Sequence, residues 1–139
     1  MSGEYLKSKI LFPYLETFIS FVKTICLQYF QTRFLDEAEK FLASLEIKAA
    51  RKIIYNIDLA EHSNDPRLFK KLQNDIWEFR TNFGGQQIRL LAFWDKSKEV
   101  ETLVFATHGF IKKVDKVPKN EIERAVNIRT KYFESQPKK

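Results

Sequence analysis

Two adjacent glycines, Gly84 and Gly85, constrain the folding of this chain more than any other pair of residues. They separate two strand-like segments, Ile76-Trp77-Glu78-Phe79-Arg80 and Gln87-Ile88-Arg89-Leu90-Leu91-Ala92-Phe93-Trp94, and a two-residue hairpin loop favours glycine because its backbone must turn through positive φ. With Gly84-Gly85 as the loop, Phe83 faces Gln86 and every cross-strand pair has residue numbers summing to 169. Arg80 then lies directly opposite Arg89. A four-residue loop keeps that pairing, whereas a three- or five-residue loop shifts it by one. Like charges facing each other weaken a hairpin by a few tenths to about 1 kcal/mol, so stability does not account for the pair. Two accounts remain. Adjacent guanidiniums form a phosphate clamp, or Glu78, on the same face as Arg80, neutralises one arginine in an ordinary surface network.

A third strand-like segment runs from Thr102 to Lys113 and ends in His108-Gly109-Phe110-Ile111-Lys112-Lys113. Gly109 permits a bulge or a close backbone approach. The two lysines leave the strand toward the sheet edge that the arginines reach. Cations on faces that are otherwise apolar are costly unless an anion answers them, which points to a phosphate backbone. The charge distribution agrees. Of the net +6, residues 1–65 carry 8 Lys/Arg against 9 Asp/Glu and residues 66–139 carry 16 against 9, so the basic character belongs to the second half. An excess of this kind suits a polyanionic partner, and equally describes a solvated lysine-rich surface.

A chain of 139 residues supports one compact domain. Cys26 is the single cysteine, so no intrachain disulfide forms and a reducing, cytoplasmic setting is expected. With only His62 and His108 besides, no zinc site is expected. The four glycines, Gly3, Gly84, Gly85 and Gly109, make no phosphate-cradling loop before a helix, so no nucleotide cofactor is expected either.

The first residues are apolar but are interrupted by Glu16 and bounded by Lys23, and they do not reach the ~20 apolar residues that cross a bilayer. They read as a short helix after Pro13 with Leu11, Leu15, Phe18 and Val22 on one face, suited to packing on the domain or on a partner. Translated sequence upstream of the true start is the other reading. Ile25 to Gln31 reads as a strand. Leu35, Ala38, Leu42 and Leu45 then follow at helical spacing, as do Ala50, Ile53, Ile57 and Ala60 after a break near Glu46, giving an antiparallel helical hairpin closed by Ser63-Asn64-Asp65-Pro66. Pro118 opens a final helix with Ile122, Ala125, Val126 and Phe133 on its apolar side. The expected fold is α+β, a small, mainly antiparallel sheet packed against an N-terminal helical hairpin, plus a C-terminal helix. Residues 1–24 form an N-terminal extension dispensable for folding, 25–134 the domain and 135–139 a basic tail.

Trp77-Glu78-Phe79-Arg80, the strand bearing Arg89, and His108-Gly109-Phe110-Ile111-Lys112-Lys113 ahead of Pro118-Lys119-Asn120-Glu121-Ile122-Glu123-Arg124-Ala125 resemble the HigB-type branch of the RelE/ParE toxin superfamily. The resemblance covers roughly Ile25 to Glu134. It implies a type II toxin held inactive by a cognate helix-turn-helix antitoxin, meeting DNA only indirectly through that complex, and acting as a metal-independent endoribonuclease on messenger RNA in the ribosome. In such enzymes the RNA 2′-hydroxyl attacks its own adjacent phosphate, so the protein orients RNA, moves protons and stabilises charge. Carried over by position, Arg80 and Arg89 match the family's sheet arginines and Lys112 or Lys113 its basic residue after the last strand; Arg89 and Lys113 are assigned to the scissile phosphate, and Arg80, Lys112 and Lys116 to RNA beside it. His108 is either a general acid or base or a structural histidine. Relatives of the RelE branch carry lysines before the first of these arginines and a tyrosine after the basic residue, where this chain has Ile76, Glu78 and Val117-Pro118; the general base is therefore unassigned. A ParE-like, non-catalytic inhibitor of DNA gyrase and a non-toxic RNA-binding domain are the alternatives.

Overall fold

A computed structural model of the chain describes residues 28–97 and 102–137. The helix expected after Pro13 and the start of the strand expected from Ile25 lie outside those residues. The elements are β1 (Gln31–Phe34), α1 (Asp36–Ser44), α2 (Ile47–Glu61), β2 (Phe69–Lys71), β3 (Trp77–Phe83), β4 (Gln86–Asp95), β5 (Leu103–Lys112) and α3 (Lys119–Ser135). The strands form one five-stranded sheet in the order β1-β5-β4-β3-β2. β1 runs parallel to β5 and the other neighbours are antiparallel.

This architecture corrects the expected one. A helical hairpin does not lead into a mainly antiparallel sheet: the first two helices follow an edge strand, and the sheet is mixed. α1 lies chiefly over β5 and α2 over β3, so each helix buries its stripe on the sheet more than on its neighbour. Stripe spacing shows that a helix has a buried face, but not what covers it. Two features of the sheet were also hidden. β2 is three residues long, too short for any periodicity, and β1 pairs with a strand some seventy positions away. Among the described residues the first strand runs from Gln31, and Gln28, Tyr29 and Phe30 before it are not part of the strand. Thr32 and Phe34 turn inward, and the buried carboxylate of Glu61 accepts the Thr32 backbone N–H at 2.7 Å.

The hairpin between β3 and β4 has the anticipated register, with Phe83 opposite Gln86 and Arg80 opposite Arg89. Gly84 and Gly85 turn with φ of 58° and 76°, the left-handed values such a loop requires. Both faces of the sheet are covered. Phe79, Ile88, Leu90, Ala92, Val104 and Ala106 pack under α1 and α2, while Leu91 and Phe93 pack with Ile76 against Ile122 and Ala125 of α3. β5 carries one irregularity that matters for the site. Leu91 pairs with His108 but Ala92 with Ala106, so Thr107 is an extra residue in the strand. Alternation resets across this bulge. Consequently His108, Phe110 and Lys112 share a face with Phe105 and Arg89. Gly109 turns to the opposite face, where an ideal Cβ would overlap the ring of Phe41 on α1.

Candidate functional site

Beyond the part covered by α3, the α3 side of the sheet opens into a cleft of roughly 580 Å³ lined by Arg80, Lys70, Lys71, Lys112, Lys116 and Lys119, with only Glu78 and Asp115 as carboxylates. β2 supplies Lys70, which pairs across the strand with Glu78, and the end of β5 supplies Lys112, which pairs with Gln87. α3 contributes its first residues, and its N-cap, Pro118, has no side-chain hydrogen bond to the helix. The positive end of the helix dipole thus adds to the side-chain charge.

Glu78 stands between the two arginines. Its Oε1 lies 3.5 Å from Arg80 Nε and its Oε2 lies 3.6 Å from Arg89 Nε. Neither contact closes as a hydrogen bond, and Glu78 Oε2, Arg80 Nε and Arg89 Nε are buried without one. Arg89 is only 2% exposed. Its guanidinium donates instead to the Ile88 carbonyl at 3.1 Å and to Gln87 Oε1 at 3.0 Å. Burial pulls its pKa below the usual arginine value; Glu78 opposes that shift and Arg80 adds to it. Arg80, with about a third of its side chain exposed, is the arginine open to the cleft.

The other expected site residues divide. Lys112 and Lys116 line the cleft, whereas Lys113 follows the end of β5, is exposed and is not part of the cleft lining. The bulge at Thr107 accounts for this: unbroken alternation from Phe105 would have put Lys113 on the arginine face. His108 is 1% exposed. Its Nε2 lies 3.1 Å from Glu121 Oε1 on α3, and its Nδ1 lies 3.1 Å from Thr107 Oγ1. The Thr107 hydroxyl also reaches the Leu91 carbonyl at 3.1 Å. With neutral His108 donating from Nε2 to Glu121, Thr107 donates to Nδ1; with protonated His108, Nδ1 donates to Thr107 and the hydroxyl turns to Leu91. Burial lowers the His108 pKa below 6.5 despite its hydrogen bond to Glu121. His108 therefore ties α3 to the sheet beneath the cleft. Lys70, Lys71 and Lys119 were missed by sequence reasoning. Nothing marked β2 as a strand, and Lys119 stood out only as the residue after Pro118.

Among the described residues, no group of three or more His, Cys, Asp or Glu side chains converges to hold a metal ion, and no helix is long and apolar enough to cross a membrane. Residues 40–130 match the family model described as phage derived protein Gp49-like (DUF891). The chain belongs to this Gp49-like family. The matched span runs from α1 into α3 and so includes every strand of the cleft. The Gp49-like family falls within the RelE/HigB-like toxin superfamily, and its proteins are typically toxins of toxin–antitoxin pairs. No curated protein matches the chain.

Proposed function

We propose that this Gp49-like protein is a HigB-type toxin of a type II toxin–antitoxin pair, working in the cytoplasm as a metal-independent endoribonuclease on messenger RNA at the ribosome. The observation that carries the reading is the cleft, where six cationic side chains converge against two carboxylates and Arg80 faces Arg89 across adjacent strands. Such a surface suits the phosphates of a single strand. Arg80 and Lys112 hold the scissile phosphodiester, and Lys116, Lys119 and Lys70 hold its neighbours. The RNA 2′-oxygen attacks the adjacent phosphorus, the bond to the 5′-oxygen breaks, and a 2′,3′-cyclic phosphate and a 5′-hydroxyl result. The 2′-hydroxyl proton leaves and the 5′-oxygen gains one. Fixed cations stabilise the extra charge on the phosphorane oxygens, the contribution that is usually largest. Arg89 reinforces this charge from behind Glu78, and His108 positions α3 rather than touching RNA. A helix-turn-helix antitoxin encoded nearby holds the toxin inactive and carries the complex to DNA.

Induced expression in bacteria of the wild-type chain beside Lys112→Ala tests the assignment. Lys112 is half-buried at a strand end, so its truncation leaves the core intact. Growth arrest with new messenger RNA ends inside translated codons, absent in the folded variant, is the expected result. Arrest without such ends, accompanied by DNA breaks, would move the target to gyrase. No arrest from the wild-type chain would leave an RNA-binding domain without toxicity.

A further inference from the structure

The aromatic core continues past the edge of α2 into a second, partly open region. Phe69 stacks on Trp77 with ring centroids 4.9 Å apart and 26° between planes, and Trp77 meets Trp94 edge to face at 5.5 Å and 73°. Phe69 is buried, whereas both indoles are half-buried. Two recesses open beside the indoles. One, of about 320 Å³, is bounded by Tyr29, Asn64, Asp65, Lys96 and Thr102; the other, of about 430 Å³, by Lys71, Lys96, Arg129 and Asp75. Lys96 Nζ sits over the Trp94 ring, 4.9 Å from its centroid, so a base that stacks on this face takes the place of the ammonium, which moves to the adjoining phosphate; the Trp94 Nε1–H is buried without a hydrogen-bond partner.

We propose that the Trp77–Trp94 recess is a stacking site for an unpaired base of single-stranded RNA, with Lys71, Lys96 and Arg129 taking the adjoining phosphates. A nucleotide meets both halves of this chemistry. An apolar peptide side chain would cover the indoles and leave the three cations of the second recess facing one carboxylate, and an acidic peptide would answer the cations and leave the indoles unused. Base stacking on aromatic rings is tolerant of sequence, since every base has a π face. The indoles belong to the α1/α2 face of the sheet, so the site meets the cleft only around the end of the sheet. Lys71 lines both the cleft and the second recess, and the turn between β2 and β3 separates them. Asn74 and Asp75 in that turn have φ of 56° and 61°, and its hydrogen bonds, Leu72 N–H to the Ile76 carbonyl at 2.7 Å and Ile76 N–H to the Gln73 carbonyl at 3.0 Å, hold it closed. A strand leaving the cleft at Lys71 crosses this fixed turn and reaches the indoles. Only that continuity rests on reading the cleft as an RNA site.

Trp77 and Trp94 are the only tryptophans in the chain, so fluorescence of the full-length protein excited selectively at tryptophan reports on this recess. The experiment titrates it with a uridine and an adenosine hexanucleotide and with inorganic polyphosphate of matched charge, while anisotropy of an end-labelled hexanucleotide records total binding. Saturable quenching by RNA and not by polyphosphate is expected, with Trp94→Phe or Lys96→Ala weakening the quenched complex about ten-fold. Lys112→Ala should weaken binding while the quenching at saturation persists. RNA binding by anisotropy without quenching would overturn the stacking site and leave the cleft reading standing. Equal quenching by polyphosphate would reduce the recess to a charge effect, and no binding of any oligonucleotide would remove both readings.

Discussion

One carboxylate, Glu78, sits between two guanidiniums that would otherwise repel, and both it and Arg89 are almost wholly buried. Removing one member of a buried charge group leaves the other uncompensated, which costs about 3–5 kcal/mol. Glu78→Gln keeps the shape and removes the charge, so the unfolding free energy in a urea titration should fall by about 3 kcal/mol. The folded fraction should bind RNA more tightly, because phosphate then becomes the sole counter-ion of Arg80 and Arg89. A variant as stable as the wild type would show that the arginines are not held by Glu78. At His108, burial keeps the pKa below 6.5; Glu121 and Glu37 oppose that shift, and Arg124 adds to it. Between the lowered value and 6.5 the unfolded chain binds more protons than the folded one, so stability rises with pH there and is lost on acidification. Melting temperature recorded from about pH 7.5 to about pH 5 should fall further in the wild type than in His108→Gln. Parallel curves would place the acid sensitivity elsewhere.

At the scale of elements, the placement of β5 decides the site. The extra residue at Thr107 puts Lys112 on the arginine face, and Gly109 lets α1 approach closely enough for Phe41 to lie over the strand. Gly109→Ala forces its methyl into that ring, an overpacking that costs typically about 1–3 kcal/mol. Phe41→Leu should recover much of the loss in the double variant, giving a non-additive cycle by urea denaturation. Additive losses would mean that the glycine matters for its backbone alone. The hairpin was legible because residue number and loop length alone set a two-residue loop's register. The bulge was not, since no residue type compels one; Gly109 hinted at an irregularity that the strand places two residues earlier.

For the molecule as a whole, six cations of the basic second half meet in one cleft because β2, β3, β5 and the start of α3 converge there. Each lysine that meets a phosphate of a single strand contributes about 0.7 to the slope of log affinity against log salt. Lys112→Ala should lower that slope by about this amount, while Lys48→Ala, on the exposed side of α2, should leave it unchanged. Equal slopes for wild type and Lys112→Ala, measured by anisotropy across a salt series, would separate the cleft from the RNA.

The Gly84-Gly85 turn, the opposition of Arg80 and Arg89, the helical stripes and the charge excess of the second half were legible in the residues, because all follow from local spacing or from counting. The order of the sheet, the parallel pairing of β1 with β5, the burial of Arg89 and His108, and the presence of Lys112 rather than Lys113 on the arginine face came from the tertiary structure. Each of these depends on which distant segment covers a face, and a hydrophobic pattern records that a side chain is covered without recording what covers it.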